Sequence, residues 1–182
     1  MDMQTPGAET RKVLVGTLYG TLEGNLRVSQ RLRTLDFLNR SATRFLTVQD
    51  AKVVGSRWAF EGDVISVNAT SVLWVAEVEA MRPGGRRPGA PQLNRSAIRL
   101  CFPDCEVLGF LHTPAAGDPV ARLNQEQNPF IALTSASMIG SDNEFAAAFL
   151  AVNRLHVFAA EVLADDEPLA EDAESFDEAL ER

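Results

Sequence analysis

The chain has 182 residues and a formal net charge of −8, with 46% hydrophobic and 23% charged residues. This composition is typical of a globular protein, and the length fits one or two domains. The apolar runs are too short to span a bilayer, the first residues lack the apolar core of a secretory signal, and two cysteines form no disulfide framework. We therefore predict a cytoplasmic protein without membrane insertion.

The negative charge is concentrated in one segment. Residues 164–182 contain nine acids and a single base, Arg182, so this segment alone carries a charge of −8. The rest of the chain contains 16 acids and 16 bases and is neutral overall. Nucleic-acid binding needs an excess of positive charge, so the neutral body argues against a nucleic-acid partner.

The first part of the chain predicts a leader followed by a bent strand. Residues 1–12 are polar and predict a disordered leader. An apolar strand then begins at Val13 and continues past Gly16, Gly20 and Gly24, a glycine spacing typical of a curved strand or a tight hairpin.

A short helix and three strands are predicted next. Residues 34–40 predict the helix, with Thr34 as its N-cap. Strands are predicted over residues 45–54, 58–67 and 72–78. The continuous apolar run of residues 72–75 is typical of a strand buried on both faces.

After a segment rich in proline, glycine and arginine, the same series of elements is predicted again. Asp118 and Pro119 are a suitable N-cap and first residue for a second helix. Three strands are predicted after it, over residues 130–139, 145–152 and 157–163. The alanines at 146–148 fit a helix start equally well.

Residues 13–78 and 98–163 match without a gap at a shift of 85 positions. The identical pairs include Gly24/Gly109, Leu38/Leu123, Asn39/Asn124, Phe45/Phe130, Ala51/Ala136, Gly55/Gly140 and Asn68/Asn153. Such a repeat predicts two copies of one supersecondary unit.

The fold prediction is therefore mainly β, or β-rich α+β, with two tandem copies of a small twisted sheet or partly open barrel, each with one short helix. The predicted domains are a leader (1–12), repeat unit 1 (13–80), a linker (81–95), repeat unit 2 (96–163) and an acidic tail (164–182). The tail is predicted to be disordered or to become helical on a partner.

Cysteine and histidine are the residue types that most often form metal or catalytic sites. Cys101 and Cys105 would face each other across a three-residue hairpin, but their spacing is not that of a zinc ligand pair, and buried thiols are the simpler interpretation. His112 and His156 have no partner identifiable in the sequence. We predict no catalytic residue, metal or cofactor.

Asn68 and Asn153 each follow a valine at the end of a predicted strand. Asparagine often accepts a hydrogen bond from the backbone two residues further on and so begins a turn. A duplicated polar ligand contact is the alternative interpretation.

Two groups of residues are candidates for binding. In the acidic tail, Leu169, Phe176 and Leu180 fall at helical spacing and would face a partner protein. Five arginines would bind a small anionic ligand between the two copies: Arg27, Arg31, Arg40, Arg44 and Arg122.

Four strings also carry a resemblance to a known family. Residues 31–39 read R-L-R-T-L-D-F-L-N, residues 45–51 read F-L-T-V-Q-D-A, residues 64–68 read V-I-S-V-N, and residues 72–75 read V-L-W-V. Together they resemble an uncharacterised family of small bacterial β-rich proteins with the pattern R-L-x-D-x-L-N, F-L-x-L-x-x-A and V-N-x-x-x-I. The second copy departs from the pattern with Ala121 in place of the aspartate. The resemblance implies no activity or site.

These observations predict a non-catalytic interaction or assembly protein with an acidic arm, acting through a protein partner or through self-association. The alternative is a sensor of a small anionic ligand. An enzyme ranks third, because it would need His112 or His156 beside an acid or a cysteine.

Overall fold

The computed structural model describes residues 8–30, 32–40, 45–54, 61–78, 93–114, 117–140 and 144–164. The chain divides into two compact units, Met1–Glu79 (unit 1) and Ala80–Arg182 (unit 2). The described residues form mainly antiparallel strands with one short helix in each unit, which confirms the predicted β-rich α+β class.

The described part of unit 1 forms a five-stranded antiparallel sheet. Its elements are β1 (Ala8–Thr17), β2 (Gly20–Ser29), α1 (Thr34–Arg40), β3 (Phe45–Val54), β4 (Glu61–Asn68), a 3₁₀ turn (Ala69–Ser71) and β5 (Val72–Glu77). The strand order is β5-β1-β2-β3-β4. The described strands therefore form an open sheet.

The described part of unit 2 repeats this arrangement. Its elements are β6 (Leu93–Cys101), β7 (Cys105–Pro114), α2 (Pro119–Gln125), β8 (Phe130–Gly140), β9 (Glu144–Asn153), a 3₁₀ turn (Arg154–His156) and β10 (Ala159–Val162). The strand order is β10-β6-β7-β8-β9. The alanines at 146–148 lie in β9 and begin no helix.

The two units also agree in register. Val13 pairs with Gly24 in unit 1, and Ile98 pairs with Gly109 in unit 2, 85 positions further along in both strands. Each unit has a register shift at the same place between its second and third strands. Residues 85 positions apart therefore occupy equivalent places in the two sheets.

The register shift is accompanied by the same unusual backbone conformation in both units. Asp50 and Ser135 have positive φ angles, 48° and 46°, in the middle of the third strand. Opposite Asp50, a Cβ on Gly24 would lie 2.5 Å from Val48 Cγ1. A glycine is therefore required where the bulged third strand approaches the second strand closely.

Strand β5 is buried on both faces, as its apolar sequence predicts. Val72, Trp74 and Val75 are all less than 3% exposed. The Trp74 ring lies over Gly16, where a Cβ would be 2.0 Å from the ring. This contact explains why strand β1, which pairs with β5, has a glycine at residue 16.

Helix α1 has the predicted bounds, but the prediction of Thr34 as N-cap was wrong. The Phe37 N–H donates to the Arg33 carbonyl at 2.9 Å, so Arg33 precedes the first turn. In unit 2 the prediction is confirmed, because the Asp118 side chain accepts from the Val120 N–H and Pro119 begins the helix.

The Thr34 hydroxyl belongs instead to a buried ionic cluster. The Arg11 guanidinium donates to Thr34 Oγ1 at 2.7 Å and to the Leu32 carbonyl at 3.0 Å, and it lies 3.4 Å from Glu77 Oε1. Thr34 Oγ1 donates to the same Glu77 carboxylate. This cluster attaches the first turn of α1 to β1 and β5.

Three segment boundaries differ from those predicted. Residues 8–12, predicted as leader, belong to β1, because their backbone pairs with β2 and Arg11 is buried. Residues 93–95, predicted as linker, begin β6. Strand β10 spans only Ala159–Val162 of the predicted 157–163, because a 3₁₀ turn precedes it. Residues 1–7, 79–92 and 165–182 lie outside the described residues.

Replacing Arg11 with alanine should destabilise the protein by about 3–5 kcal/mol, because Glu77 keeps its buried charge without its partner. The free energy of unfolding in urea measures this loss. Arg99→Ala is the matched control. Arg99 also pairs with a carboxylate, that of Glu161, but it is more exposed than Arg11, so its loss should cost about 1 kcal/mol or less. Equal losses in the two variants would contradict a structural role for the Arg11 cluster.

Candidate functional site

The two shared asparagines begin turns, as the turn interpretation predicts. Asn68 Oδ1 accepts from the Thr70 N–H at 3.0 Å and from the Thr70 hydroxyl at 2.9 Å. Asn153 Oδ1 accepts from the Leu155 N–H at 3.2 Å. Each side chain caps a 3₁₀ turn, which is a sufficient structural cause for asparagine at both places.

The two cysteines lie at the ends of the β6–β7 hairpin. Neither forms a disulfide bond in the described part of the chain, and both are half-buried, so the prediction of buried thiols was only partly right. The ladder partner of Cys101 is Glu106, which places Cys105 one position away from a directly facing pair. Among the described residues, no group of three or more His, Cys, Asp or Glu side chains is placed to hold a metal ion.

A second ionic cluster lies on the β1–β2–β3 sheet of unit 1. The Glu23 carboxylate is buried, and its oxygens lie 2.8 Å from Lys12 Nζ and 3.0 Å from Lys52 Nζ. Burial by itself would raise the pKa of Glu23, but the hydrogen bonds and positive charges of the two lysines outweigh it and lower the pKa below 4.5. The carboxylate therefore stays ionised and joins three strands.

Unit 2 holds uncharged residues at the positions of this ionic cluster. The positions equivalent to Lys12 and Glu23 hold Ala97 and Leu108, which form a buried cluster with Leu163. Phe110 packs against the edge of this cluster. The same face of the sheet therefore has different chemistry in the two units.

Beside this apolar cluster lies a group of residues that we call the Arg95 cluster: Arg95, Phe110, His112, Arg122 and Thr134. The guanidinium carbon of Arg95 lies 3.3 Å from the centre of the Phe110 ring, a cation–π contact. Arg95 is also the ladder partner of His112. His112 Nε2 lies 2.8 Å from Thr134 Oγ1.

The Arg95 cluster carries positive charge, from the guanidinium groups of Arg95 and Arg122. Burial lowers the pKa of His112 below 6.5, and the charges of Arg95 and Arg122 lower it further. No described carboxylate forms an ion pair with Arg95 or Arg122. The described partner of the His112 ring is the Thr134 hydroxyl.

Another candidate feature is the exposed strand β10. All four of its residues are exposed, and so are the large apolar side chains at and before it, Leu155 (65%), Phe158 (71%) and Val162 (44%). Strand β5 has the equivalent place in unit 1 and is buried. Among the described residues, β6 is the neighbour of β10 in unit 2.

The predicted anion-binding arginines are placed in different parts of the described chain. Arg27 is exposed on β2, Arg40 is exposed at the end of α1, and Arg122 is half-buried on α2. Arg31 and Arg44 lie outside the described residues, so the five-residue ligand site stays a prediction. The predicted partner-binding residues also lie outside the described residues: Leu169, Phe176 and Leu180.

The partners of His112 have no recognisable local signal in the sequence. Arg95 lies in the predicted linker, and Phe110 and Thr134 belong to no chemical motif. The repeat contained a usable signal for two of them, because the positions equivalent to Phe110 and Thr134 are Asn25 and Gln49. Arg95 lies before the repeat, and strand pairing makes it equivalent to Thr10. Residues that differ between the copies at equivalent sheet positions mark this cluster as specific to unit 2.

Comparison with known proteins does not assign a family. No protein-family model, curated protein or solved structure matches the chain. The resemblance to the small bacterial family therefore stays a prediction. In the part of the chain that the structure describes, no helix is long and apolar enough to cross a membrane.

The lowered pKa of Glu23 predicts how stability depends on pH. A carboxylate whose folded pKa lies below its unfolded pKa stabilises the protein above pH 4.5, and this contribution is lost as pH falls through the folded pKa. Glu23→Gln should therefore be most destabilising at neutral pH, and its free-energy difference from wild type should shrink in acid. Urea unfolding over a pH series measures this difference.

Glu106→Gln is the control for this pH series, because the Glu106 side chain is 54% exposed and lies 3.8 Å from Arg99. Its effect on stability should be small at every pH. A Glu23→Gln effect that does not change with pH would show that the ion pairs of Glu23 do not stabilise the fold.

Proposed function

We propose that this protein is a non-catalytic, cytoplasmic assembly protein, in which β10 of one copy pairs with β4 of a second copy. The observation that carries the proposal is the exposure of β10, in a place where the equivalent strand of unit 1 is buried. We infer that the two units arose by duplication, which explains why their outer strands are equivalent in position.

The backbone of β10 has hydrogen-bonding groups that point away from β6. The Leu163 N–H donates to the Ala97 carbonyl at 3.0 Å. Because bonding alternates along an antiparallel strand, Ala159 and Glu161 also face β6, whereas the peptide groups of Ala160 and Val162 face outward. An outer edge of this kind accepts an additional strand.

The side chains around β10 favour association as well. Leu155, Phe158 and Val162 expose apolar surface close together in the sequence. Complete burial of such side chains contributes about 1.5–3 kcal/mol each. A strand added at β10 would also cover part of this surface.

A second copy of the chain supplies a suitable partner strand. Strand β4 is the outer strand at the other end of unit 1, and its Val64 is 60% exposed. The equivalent strand of unit 2, β9, has its last four residues buried, Leu150–Asn153. Strands β10 and β4 are therefore exposed outer strands of the described chain. Head-to-tail pairing of β10 in one copy with β4 in the next builds rings or open chains of copies.

Replacing Ala160 with proline should abolish this assembly. Proline removes the outward N–H and places its ring on the outer edge, while the bonds of Ala159 and Glu161 to β6 are kept. Sedimentation velocity over a concentration series should show a concentration-dependent mass for wild type and a monomer mass for Ala160→Pro. Ala160→Ser retains the N–H and should assemble as wild type does.

The apolar contribution is tested separately with Phe158→Ser, which should weaken assembly. Tyr19→Ser is the matched control, because Tyr19 is 74% exposed and lies in the turn between β1 and β2. The proposal is wrong if wild type remains a monomer at every concentration, or if Ala160→Pro assembles as wild type does.

A further inference from the structure

The Arg95 cluster is a cationic site that no described carboxylate neutralises. Arg95 and Arg122 both act on His112 as positive charges, and no described ion pair includes either arginine. The nearby Arg99 differs, because it lies 2.8 Å from Glu161 and 3.8 Å from Glu106. Arginine guanidinium groups bind carboxylates strongly and with defined geometry. The chemistry of the cluster therefore fits an acidic ligand.

Leu163 holds the chain on the same face of the sheet as the Arg95 cluster. Its side chain packs with Ala97 and Leu108, and Phe110 packs against these three residues. The Phe110 ring also carries the Arg95 guanidinium. The described part of the chain ends at Ala164, so the residues that follow begin beside this cationic site.

The register of β10 aligns the next residues with Arg95. Strand β10 runs antiparallel to β6, and the Leu163 N–H bonds to the Ala97 carbonyl. Arg95 lies two residues from Ala97 along β6, a distance of about 7 Å in a strand. Two residues beyond Leu163 the sequence reads Asp165-Asp166-Glu167, the start of a segment with a charge of −8.

We propose that the acidic segment of residues 165–182 binds to the Arg95 cluster of its own chain, through the carboxylates of Asp165, Asp166 and Glu167. The groups that receive them are the Arg95 guanidinium, the His112 ring and the Arg122 guanidinium. Because the segment follows Leu163 directly, its effective concentration at the site is high. This inference does not depend on the role of β10 in assembly.

The test uses full-length variants and two NMR measurements. The first variant neutralises the three acids next to the site (Asp165→Asn, Asp166→Asn, Glu167→Gln). Bound carboxylates favour the charged form of His112, so this variant should lower the pKa of His112 relative to wild type. The backbone order parameters of residues 165–167 should fall from about 0.85, typical of a rigid backbone, to below about 0.6.

A distal variant is the matched control. It neutralises three acids farther along the segment (Glu174→Gln, Asp177→Asn, Glu178→Gln) and makes the same change in net charge. It should leave both the pKa of His112 and the order parameters of residues 165–167 close to the wild-type values. Equal effects of the two variants would overturn the proposal, because the site would then respond to total charge alone.

Arg95→Gln tests the other side of the contact. In the Arg95→Gln background, neutralising Asp165, Asp166 and Glu167 (the proximal variant) should hardly change the pKa of His112, as expected for residues that interact. Arg27→Gln is the control, since Arg27 occupies the position equivalent to His112 on unit 1 and is exposed. An undiminished proximal effect in Arg95→Gln would contradict binding at this cluster.

Protein concentration distinguishes the chain's own segment from that of a second copy. Binding within one chain gives the same pKa of His112 at high and low protein concentration. A pKa that returns to the value of the proximal variant on dilution would overturn the proposal. Raising the salt to about 1 M, where the screening length is about 3 Å, should remove most of the proximal effect.

Discussion

The antiparallel register between the first two strands of each unit determines which side chains share a face. In unit 1 this register and that of β5 bring Arg11, Thr34 and Glu77 together below α1. In unit 2 the equivalent register makes Arg95 the ladder partner of His112. A slip of one residue would move every side chain of a strand to the opposite face. The Arg11–Thr34–Glu77 cluster of unit 1 and the Arg95 cluster of unit 2 both depend on this register.

Equivalent backbones with different side chains give the two units different properties. In unit 1 the carboxylate of Glu23 joins Lys12 and Lys52 across three strands. In unit 2 the positions equivalent to Lys12 and Glu23 hold Ala97 and Leu108, which pack with Leu163. The charged side chains on this face of unit 1 thus pair with one another within the sheet. The equivalent positions of unit 2 instead pack against Leu163, the residue that follows β10.

The sequence predicts the elements whose pattern is local. The bounds of the helix over residues 34–40 and of the strand over 45–54 match the structure, because apolar spacing and turn residues are sufficient for both. The burial of Arg11 was not predicted. Its partners Thr34 and Glu77 are 23 and 66 residues away, so a local reading of its polar neighbourhood gives a disordered leader.

The same limit applies to the candidate site. Arg95 follows a segment rich in proline, glycine and arginine, and its local composition indicates a linker. Only the ladder with β7 shows that it lies across from His112 and over Phe110. The sequence match at a shift of 85 positions agrees with the equivalent element order of the two units. The chemistry of the residues that differ between the units could be recognised only from the strand pairing.

The contrast between β5 and β10 shows how one strand position is adapted to two environments. Trp74 covers Gly16 in unit 1, whereas the equivalent Ala159 is too small to cover Cys101, which stays half-buried. Strand β10 is short, and its Glu161 is paired with Arg99. Short length and charge are the features by which proteins limit uncontrolled pairing at sheet edges. Because Phe158 precedes the strand, β10 combines a short, charge-bearing backbone edge with exposed apolar surface. In the proposed pairing with β4, this combination would favour reversible association over indiscriminate aggregation.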